Sequence, residues 1–287
     1  MVYMLVHPPQ KLVIAMGEQF TVFGARGYIG EALVQHLRTQ GHQVQAITRD
    51  NWPEKGSQLG HVVFAAGMAA NYRQNLIGTL QSQTILPTKL IEETNFSSFL
   101  YLSSTRLYGG ASSTDEDAKL QVCPQNAEDI YNLTKATSEC YLLAQDNPKI
   151  RVARLSNVYG QYKNTNSFLA AILWSAAQKG EVFFETDAAS SKDYIPLDKC
   201  VDRLAKIALT AERRIYNVAR GERVSHDQIA RKLSDLGIAV RFQKNAPLQS
   251  FPEINTAKMD AEFGAIKSNL IERLPMLLEE IKAKANQ

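Results

Sequence analysis

Apolar positions along this chain fall into two rhythms. Short continuous runs occur at Phe20–Phe23, Gln43–Ile47, His61–Ala65 and Phe99–Ser103. Unbroken apolar runs of this length suit strands buried on both faces. Between them the apolar residues recur every three or four positions. One such stretch carries Ile29, Leu33, Val34 and Leu37 and stops at Gly41; another runs from Asn75 to Glu93, interrupted at Pro87. Strands alternating with amphipathic helices predict an α/β fold, a doubly wound parallel sheet. About ten residues, Asn51 to Gly60, separate the second and third strands. That is too short for a crossover helix plus another strand, so one strand–helix unit is trimmed here.

After residue 160 the rhythm changes. Asn166–Lys179 reads as a helix and Glu181–Glu185 as a short strand. Ser225–Leu236 reads as a helix opened by Ser225 with Asp227 in its first turn, Val240–Gln243 as a strand, and Leu270–Lys284 as a closing amphipathic helix. These pieces predict a small lobe from 161–191 plus 223–287. The sheet is expected over 18–160 plus about 192–222, preceded by an extension at 1–17. No repeat, low-complexity tract or flexible linker divides the chain.

Composition narrows the classes. Across 287 residues the hydrophobic share is 45%, the charged share 21% and the net charge +3, ordinary values for a globular chain. So small and dispersed a charge points to no nucleic-acid partner and no membrane surface. No apolar run approaches the roughly 20 residues of a membrane span, and Pro8, Pro9 and Lys11 break the pattern of a signal peptide. Cys123, Cys140 and Cys200 have no metal-ligand spacing, so no metal is expected. Sparse, unpaired cysteines suit a reducing, cytoplasmic setting.

Candidate chemistry begins where the first strand ends, in Gly24-Ala25-Arg26-Gly27-Tyr28-Ile29-Gly30. A strand, a glycine-rich turn and a helix in that order let a backbone approach a pyrophosphate resting on the helix N-terminus. Gly24, Arg26, Gly27, Tyr28, Ile29 and Gly30 are therefore candidate dinucleotide contacts, joined by Ala65, Ala66 and Gly67 at the end of the third strand. The second strand ends in Thr48-Arg49-Asp50, with threonine where an acidic residue commonly holds the adenosine ribose. Arginine pairs with phosphate bidentately, so Arg26 and Arg49 favour a 2′-phosphate and NADP(H) over NAD(H). The competing reading leaves Arg49 on the surface and gives the acidic job to Asp50. Ser103, Ser104 and Thr105 follow the fourth strand, where hydroxyls serve either a ligand or a turn. The cluster Asp115, Glu116 and Asp117 reads as a solvated turn.

Tyr131 and Lys135 stand four apart, one turn from each other on a helix. A phenol titrates at about 10, and a fixed ammonium nearby lowers that value. A tyrosine so tuned exchanges a proton with a hydroxyl or ketone.

Taken in order, the glycine turn, Tyr101-Leu102-Ser103-Ser104-Thr105-Arg106-Leu107-Tyr108-Gly109, Tyr131 with Lys135, Arg154-Leu155-Ser156-Asn157-Val158-Tyr159-Gly160, Lys192-Asp193-Tyr194-Ile195-Pro196-Leu197-Asp198 and Tyr216-Asn217-Val218-Ala219 resemble the extended short-chain dehydrogenase/reductase superfamily, in its nucleotide-sugar epimerase, dehydratase and reductase branch. The resemblance runs from about residue 20 to the end. It implies a Rossmann-type sheet with a smaller C-terminal substrate lobe, Tyr131 as acid/base, Lys135 on the nicotinamide ribose and Ser104 on the reacting oxygen. It further implies Asn157 on the substrate diphosphate, Lys192 and Thr105 in the substrate site, and a homodimer. Dehydratases of this branch carry Asp-Glu after their threonine; Thr105 and Arg106 stand there instead, which speaks against 4,6-dehydration. Lys192 replaces an arginine and binds phosphate only as a point charge. Phe23 replaces the usual Thr or Ser before the first glycine, and the arginine that clamps the second phosphate has no clear counterpart. Three readings follow: an NADPH-dependent keto-sugar reductase, favoured by the two arginines; a redox-neutral epimerase that returns its hydride; and a non-catalytic NADP-binding sensor or scaffold.

Overall fold

The computed structural model describes residues 17–68, 72–126, 129–162 and 167–285. The predicted extension falls almost wholly outside these, as does Asn166, the expected start of the fifth helix. Six parallel strands build the main sheet in the order β2 (Gln43–Ile47), β1 (Gln19–Phe23), β3 (His61–Phe64), β4 (Ser98–Ser104), β5 (Ile150–Leu155) and β9 (Ile215–Val218). Val22 and Phe23 face opposite sides and are both fully buried, as period-two alternation requires in a sheet covered on both faces. On one face Phe20, Val22, Val63 and Leu100 pack against α1 (Tyr28–Thr39) and α6 (Leu197–Thr210). On the other, Phe23, Phe64, Phe99 and Tyr101 pack with Leu90 of α3 (Leu86–Glu93) and Leu142 of α4 (Ile130–Ala144).

The trimmed unit is real. Between β2 and β3 the chain makes a short 3₁₀ turn at Arg49–Asn51 and returns directly to the sheet. β2 is therefore the sheet's edge, bonded on one side only, to β1.

The helix expected from Asn75 is not uniform in winding. Asn75 caps α2 (Leu76–Leu80) by accepting from the Gly78 amide, and Gln81–Ile85 then makes a π turn leading into α3. The cause lies in Pro87, which has no N–H to give the carbonyl four residues back. That carbonyl belongs to Gln83. It is fully satisfied elsewhere, accepting from the Tyr101 hydroxyl at 2.8 Å and from the Ser138 hydroxyl at 2.6 Å.

The C-terminal pieces form smaller sheets and a second core. β6 (Asn157–Tyr159) pairs with β8 (Ser191–Pro196), which pairs antiparallel with β10 (Arg223–Ser225); β7 (Glu181–Phe184) pairs with β11 (Ala239–Phe242). The core joins Leu173 of α5 (Phe168–Lys179), Ile229 of α7 (His226–Asp235) and Leu274 and Leu278 of α9 (Leu270–Ala285). Ser225 and Gln228 form a reciprocal cap on α7. Met259 of α8 (Ala257–Phe263) packs back on the main sheet's core.

Candidate active site

Because the six strands are parallel, the ends of β1, β3, β4 and β5 open on one edge, where sheets of this kind meet ligands. At that edge Gly24 has φ +75°, and a side chain there would meet the Ala65 carbonyl at 2.7 Å. A Cβ on Gly30 would meet the Gly24 carbonyl at 2.2 Å. The turn thus lies flat on the end of β3 and carries α1 tight against it. No side chain caps the first turn of α1, so its amides are left for an anion. This cradle fits a dinucleotide pyrophosphate. Tyr28 leaves the turn sideways, donating to the Gly160 carbonyl at 2.5 Å and stacking on Tyr162. Ile29 packs into the sheet's core.

The side around Arg26 and Arg49, where the motifs place an adenosine, is more open. Arg26 reaches Asp50 at 3.4 Å, with both side chains more than three-quarters exposed, and Arg49 is exposed in the 3₁₀ turn. Asp50 therefore stands beside the arginine that was expected to be free for a phosphate.

The other end is buried and tightly tied. Tyr131 lies in the first turn of α4, and the Ser104 hydroxyl at the end of β4 acts on its phenol, pulling its pKa down. Ser104 also caps the following 3₁₀ turn, accepting from the Arg106 amide at 3.2 Å. One turn on, the Lys135 ammonium donates to the Leu102 carbonyl at 2.7 Å and sits 4.6 Å from the centre of the Tyr101 ring. Gly67 lies beside that ammonium; a Cβ there would come within 3.4 Å of it. Thr134, between them, donates to the Gln83 amide oxygen at 2.8 Å, while the Gln83 amide nitrogen donates to the Met68 carbonyl at 2.7 Å. The π turn made by Pro87 thus locks α4 to β4 and to the loop after β3.

The electrostatics differ from the expectation. Burial raises the Tyr131 phenol above its ordinary value, only partly offset by the Ser104 hydrogen bond and the Arg106 charge. Lys135 is itself pushed down to about 7 by burial, against the pull of Glu139. Its ammonium is turned toward Leu102 and Tyr101, and the cation that acts on Tyr131 is Arg106, whose guanidinium lies 4.8 Å from the centre of the phenol ring.

The expected substrate residues are dispersed around this centre. Thr105 turns its hydroxyl to the Leu155 carbonyl at 3.3 Å, which leaves Ser104 as the hydroxyl that acts on Tyr131. The Asn157 side chain bridges β6 to β8 by donating to the Asp193 carbonyl at 2.8 Å. Lys192 is half-buried, 4.5 Å from the Phe168 ring centre, and burial and the Arg106 charge both lower its basicity. Asp193 itself accepts from the Arg220, Gly221 and Glu222 amides.

Several motif residues prove structural. Arg154 and Glu139, both almost fully buried, pair at 2.6 Å, and Arg154 also donates to the Tyr108 hydroxyl, which in turn donates to Asn217. Of the acidic cluster, Asp117 is exposed as expected, but Glu116 is not a solvated turn residue. Glu116 is buried, accepting from the Asn217 amide and pairing with Lys258 at 3.1 Å, because the chain end of β9 needs an acceptor there. Sequence reasoning passed over Gln83, Glu139 and Arg106 as site residues. Glu139 could have been found at helical spacing from Tyr131 and Lys135, and Gln83 four residues before Pro87. Among the described residues no acidic, His or Cys cluster could hold a metal, and no helix is long and apolar enough to cross a membrane.

Residues 20–219 match the model of the NAD dependent epimerase/dehydratase family. The chain belongs to that family. It is 22% identical to GDP-mannose 3,5-epimerase 1 from Oryza sativa subsp. indica, over 78% of this chain and 68% of that protein. Its fold superposes on TunA, an NAD dependent NDP-hexosamine 5,6-dehydratase of tunicamycin biosynthesis, with a TM-score of 0.76 at 17% identity, covering 93% of this chain and 98% of the other. It also superposes on RMD from Pseudomonas aeruginosa complexed with NADPH, with a TM-score of 0.75 at 18% identity, covering 93% and 99%. The superfamily and sheet expected from the motifs are thereby established.

Proposed function

We propose that this protein reduces a keto group on a nucleotide-linked sugar with NADPH, using Tyr131 as acid/base. The observation that carries this reading is the convergence at the end of β4 of Ser104, the buried Tyr131 and the buried Lys135, whose ammonium is fixed on the Leu102 carbonyl. The cofactor supplies the hydride. Ser104 holds the reacting oxygen, and Tyr131, kept protonated by burial, gives it the proton that a carbonyl needs when it becomes an alcohol. Lys135 is held by Leu102 at the edge where a nicotinamide ribose would lie. Arg26 and Arg49 receive the 2′-phosphate. The Arg26–Asp50 pair is exposed, and such pairs contribute about 0–1 kcal/mol, so a phosphate competes readily for the guanidinium. The lobe from 161–191 plus 223–287 covers the substrate, with Asn157 and Lys192 toward its diphosphate.

A second reading, the redox-neutral epimerase with bound NAD, is favoured by one observation: Asp50 lies at the adenosine end, where a carboxylate suits an unphosphorylated ribose. A non-catalytic sensor is disfavoured by the intact Ser104, Tyr131 and Lys135. Titrating cofactor-stripped protein with NADPH and NADH separates the two enzymes. Tighter NADPH binding that is lost on Arg26→Ala or Arg49→Ala supports the reductase. Tight NAD(H) that resists stripping supports the epimerase and removes the clamp.

The same reading includes a homodimer formed through α2, α3 and α4. Leu76, Ile77, Leu80 and Ile85 are 53%, 67%, 42% and 49% exposed along that helical stretch, an apolar run that a partner would cover. Ile77→Glu is expected to convert a dimer to monomer in sedimentation. A wild-type protein that sediments as monomer rejects the dimer.

A further inference from the structure

Gln83 is fully buried in the middle of the π turn, and both its backbone and its side chain are engaged. A π turn admits one more residue than an α turn, and such insertions recur at functional sites. The Gln83 carbonyl accepts from Tyr101 of β4 and from Ser138 of α4. The neighbouring Thr84 hydroxyl donates to the Thr134 carbonyl at 3.0 Å. The turn is thereby fixed to the sheet and to the helix that bears Tyr131 and Lys135. From this anchored backbone the Gln83 amide reaches out to Met68, in the loop after β3.

The partners dictate how the amide is turned. A carbonyl only accepts, so the Gln83 nitrogen must face Met68, and the oxygen is left for the Thr134 hydroxyl. One side chain thus spans from α4 to the loop, its acceptor used at one end and its donor at the other. The loop has a further tie at its start, where the Ala65 amide donates to the Phe23 carbonyl at 3.0 Å. Ala66 and Gly67 lie between these two ties. A Cβ on Gly67 would stand 3.4 Å from the Lys135 ammonium and 3.8 Å from the Gln83 side chain, so the loop passes directly against both.

We propose that Gln83 is a positioning residue for the nicotinamide half of the cofactor: its amide sets how far the loop at Gly67 stands from the helix at Lys135, and so the width of the slot between them. This rests on the reading that places Lys135 on the nicotinamide ribose, and it deepens that reading. Gln83 acts from behind the loop, through Met68 and Thr134. Without the amide the Met68 carbonyl loses a buried donor and the loop loses its tie to α4, and groups displaced by about an ångström bind and react poorly.

The test is a fluorescence titration of the cofactor-stripped full chain with NADPH and NADH. Adenosine 2′,5′-bisphosphate and ADP, which lack the nicotinamide ribose, are titrated alongside. Gln83→Leu keeps the size of the side chain and removes both hydrogen bonds. For whichever dinucleotide the wild type binds more tightly, affinity is expected to fall about tenfold, while the matching adenosine fragment stays within about twofold. Thr134→Val frees the other end of the amide and should cost about threefold, recovered in Thr134→Ser, which restores the hydroxyl. Ser138→Ala loosens the same turn without touching the amide; it should lower stability in urea and leave dinucleotide affinity within about twofold. If Gln83→Leu does not fold, the two Thr134 variants decide the question. Unchanged dinucleotide affinity in the deciding variant overturns the inference. So does an equal loss for dinucleotide and fragment, or an equal loss in Ser138→Ala, either of which would mean that the amide only supports the fold. A wild type that binds neither dinucleotide overturns the cofactor reading itself, and the inference falls with it.

Discussion

The two ends of the cofactor cleft are built in opposite ways. At the end around Tyr131, the side chains of Tyr131, Lys135 and Ser104 are buried; Lys135 donates to the Leu102 carbonyl of β4 and Ser104 accepts from the Arg106 amide. The helix that carries Tyr131 and Lys135 is fastened by Thr134 and Ser138 to the π turn around Gln83. At the other end, Arg26 in the turn after β1 and Arg49 and Asp50 in the turn after the edge strand β2 are exposed, beside the trimmed unit. Chemistry needs geometry within fractions of an ångström, and buried, fully satisfied polar networks supply it. Cofactor choice needs only a favourable charge, and exposed side chains can rearrange to provide it. On the proposed reading, the end around Tyr131 is thus preformed, and the end around Arg26 and Arg49 is where cofactor selectivity would be set.

The sharpest way to break this contrast is Tyr131→Phe. Losing a positioned proton donor costs about 100- to 10 000-fold in turnover, while cofactor affinity should stay near wild type. A variant that keeps full turnover would remove Tyr131 from the chemistry. Next in size is Arg154→Met behind the catalytic helix. It leaves Glu139 charged and buried without its partner, and urea melts should show a loss of about 3–5 kcal/mol. A loss under about 1 kcal/mol, the level of an exposed pair, would mean that the buried network is not what holds this end.

Lys135 gives a smaller, pH-dependent effect. Its folded value is lowered from 10.5 to about 7, so between those values the unfolded chain binds a proton that the folded one does not. Stability therefore rises with pH across that window, by at most about 1.4 kcal/mol per pH unit, and the contribution of this group is constant below it. Lys135→Met should flatten that slope relative to wild type in melts at pH 7 to about 9.5. Unchanged slopes would show that the ammonium is better solvated than its burial implies. Smallest is Arg26→Ala at the exposed end. It should shift stability by less than about 0.5 kcal/mol and yet change the ratio of NADPH to NADH affinity. A large stability loss there would erase the contrast between the two ends.

Much of this was legible in local sequence. The strand ending at Phe23, its glycine turn and the following helix are where short-range pattern predicts them, because a parallel sheet covered on both faces demands continuous apolar runs. The gap from Asn51 to Gly60 revealed the trimmed unit by length alone. Tyr131 and Lys135 were readable from helical spacing. Less legible was anything dependent on what meets it from a distance in the chain. Glu116 looked like a surface acid until Asn217 and Lys258, more than 100 residues away, arrived to bury it. Lys135 looked like the cation that tunes Tyr131 until Leu102 claimed its ammonium and Arg106 came to lie against the phenol.

By itself, then, the sequence determined the layered α/β sheet, the flat glycine turn, the break at Pro87 and the helical register of the catalytic pair. Each follows from backbone sterics and hydrophobic periodicity acting over a few residues. Only the tertiary structure decided which groups face one another: that Gln83 satisfies Thr134, that Glu139 belongs to Arg154, and that Arg106 lies against Tyr131. Ion pairing and desolvation depend on distance in space and on burial, and neither is written in the spacing of residues along the chain.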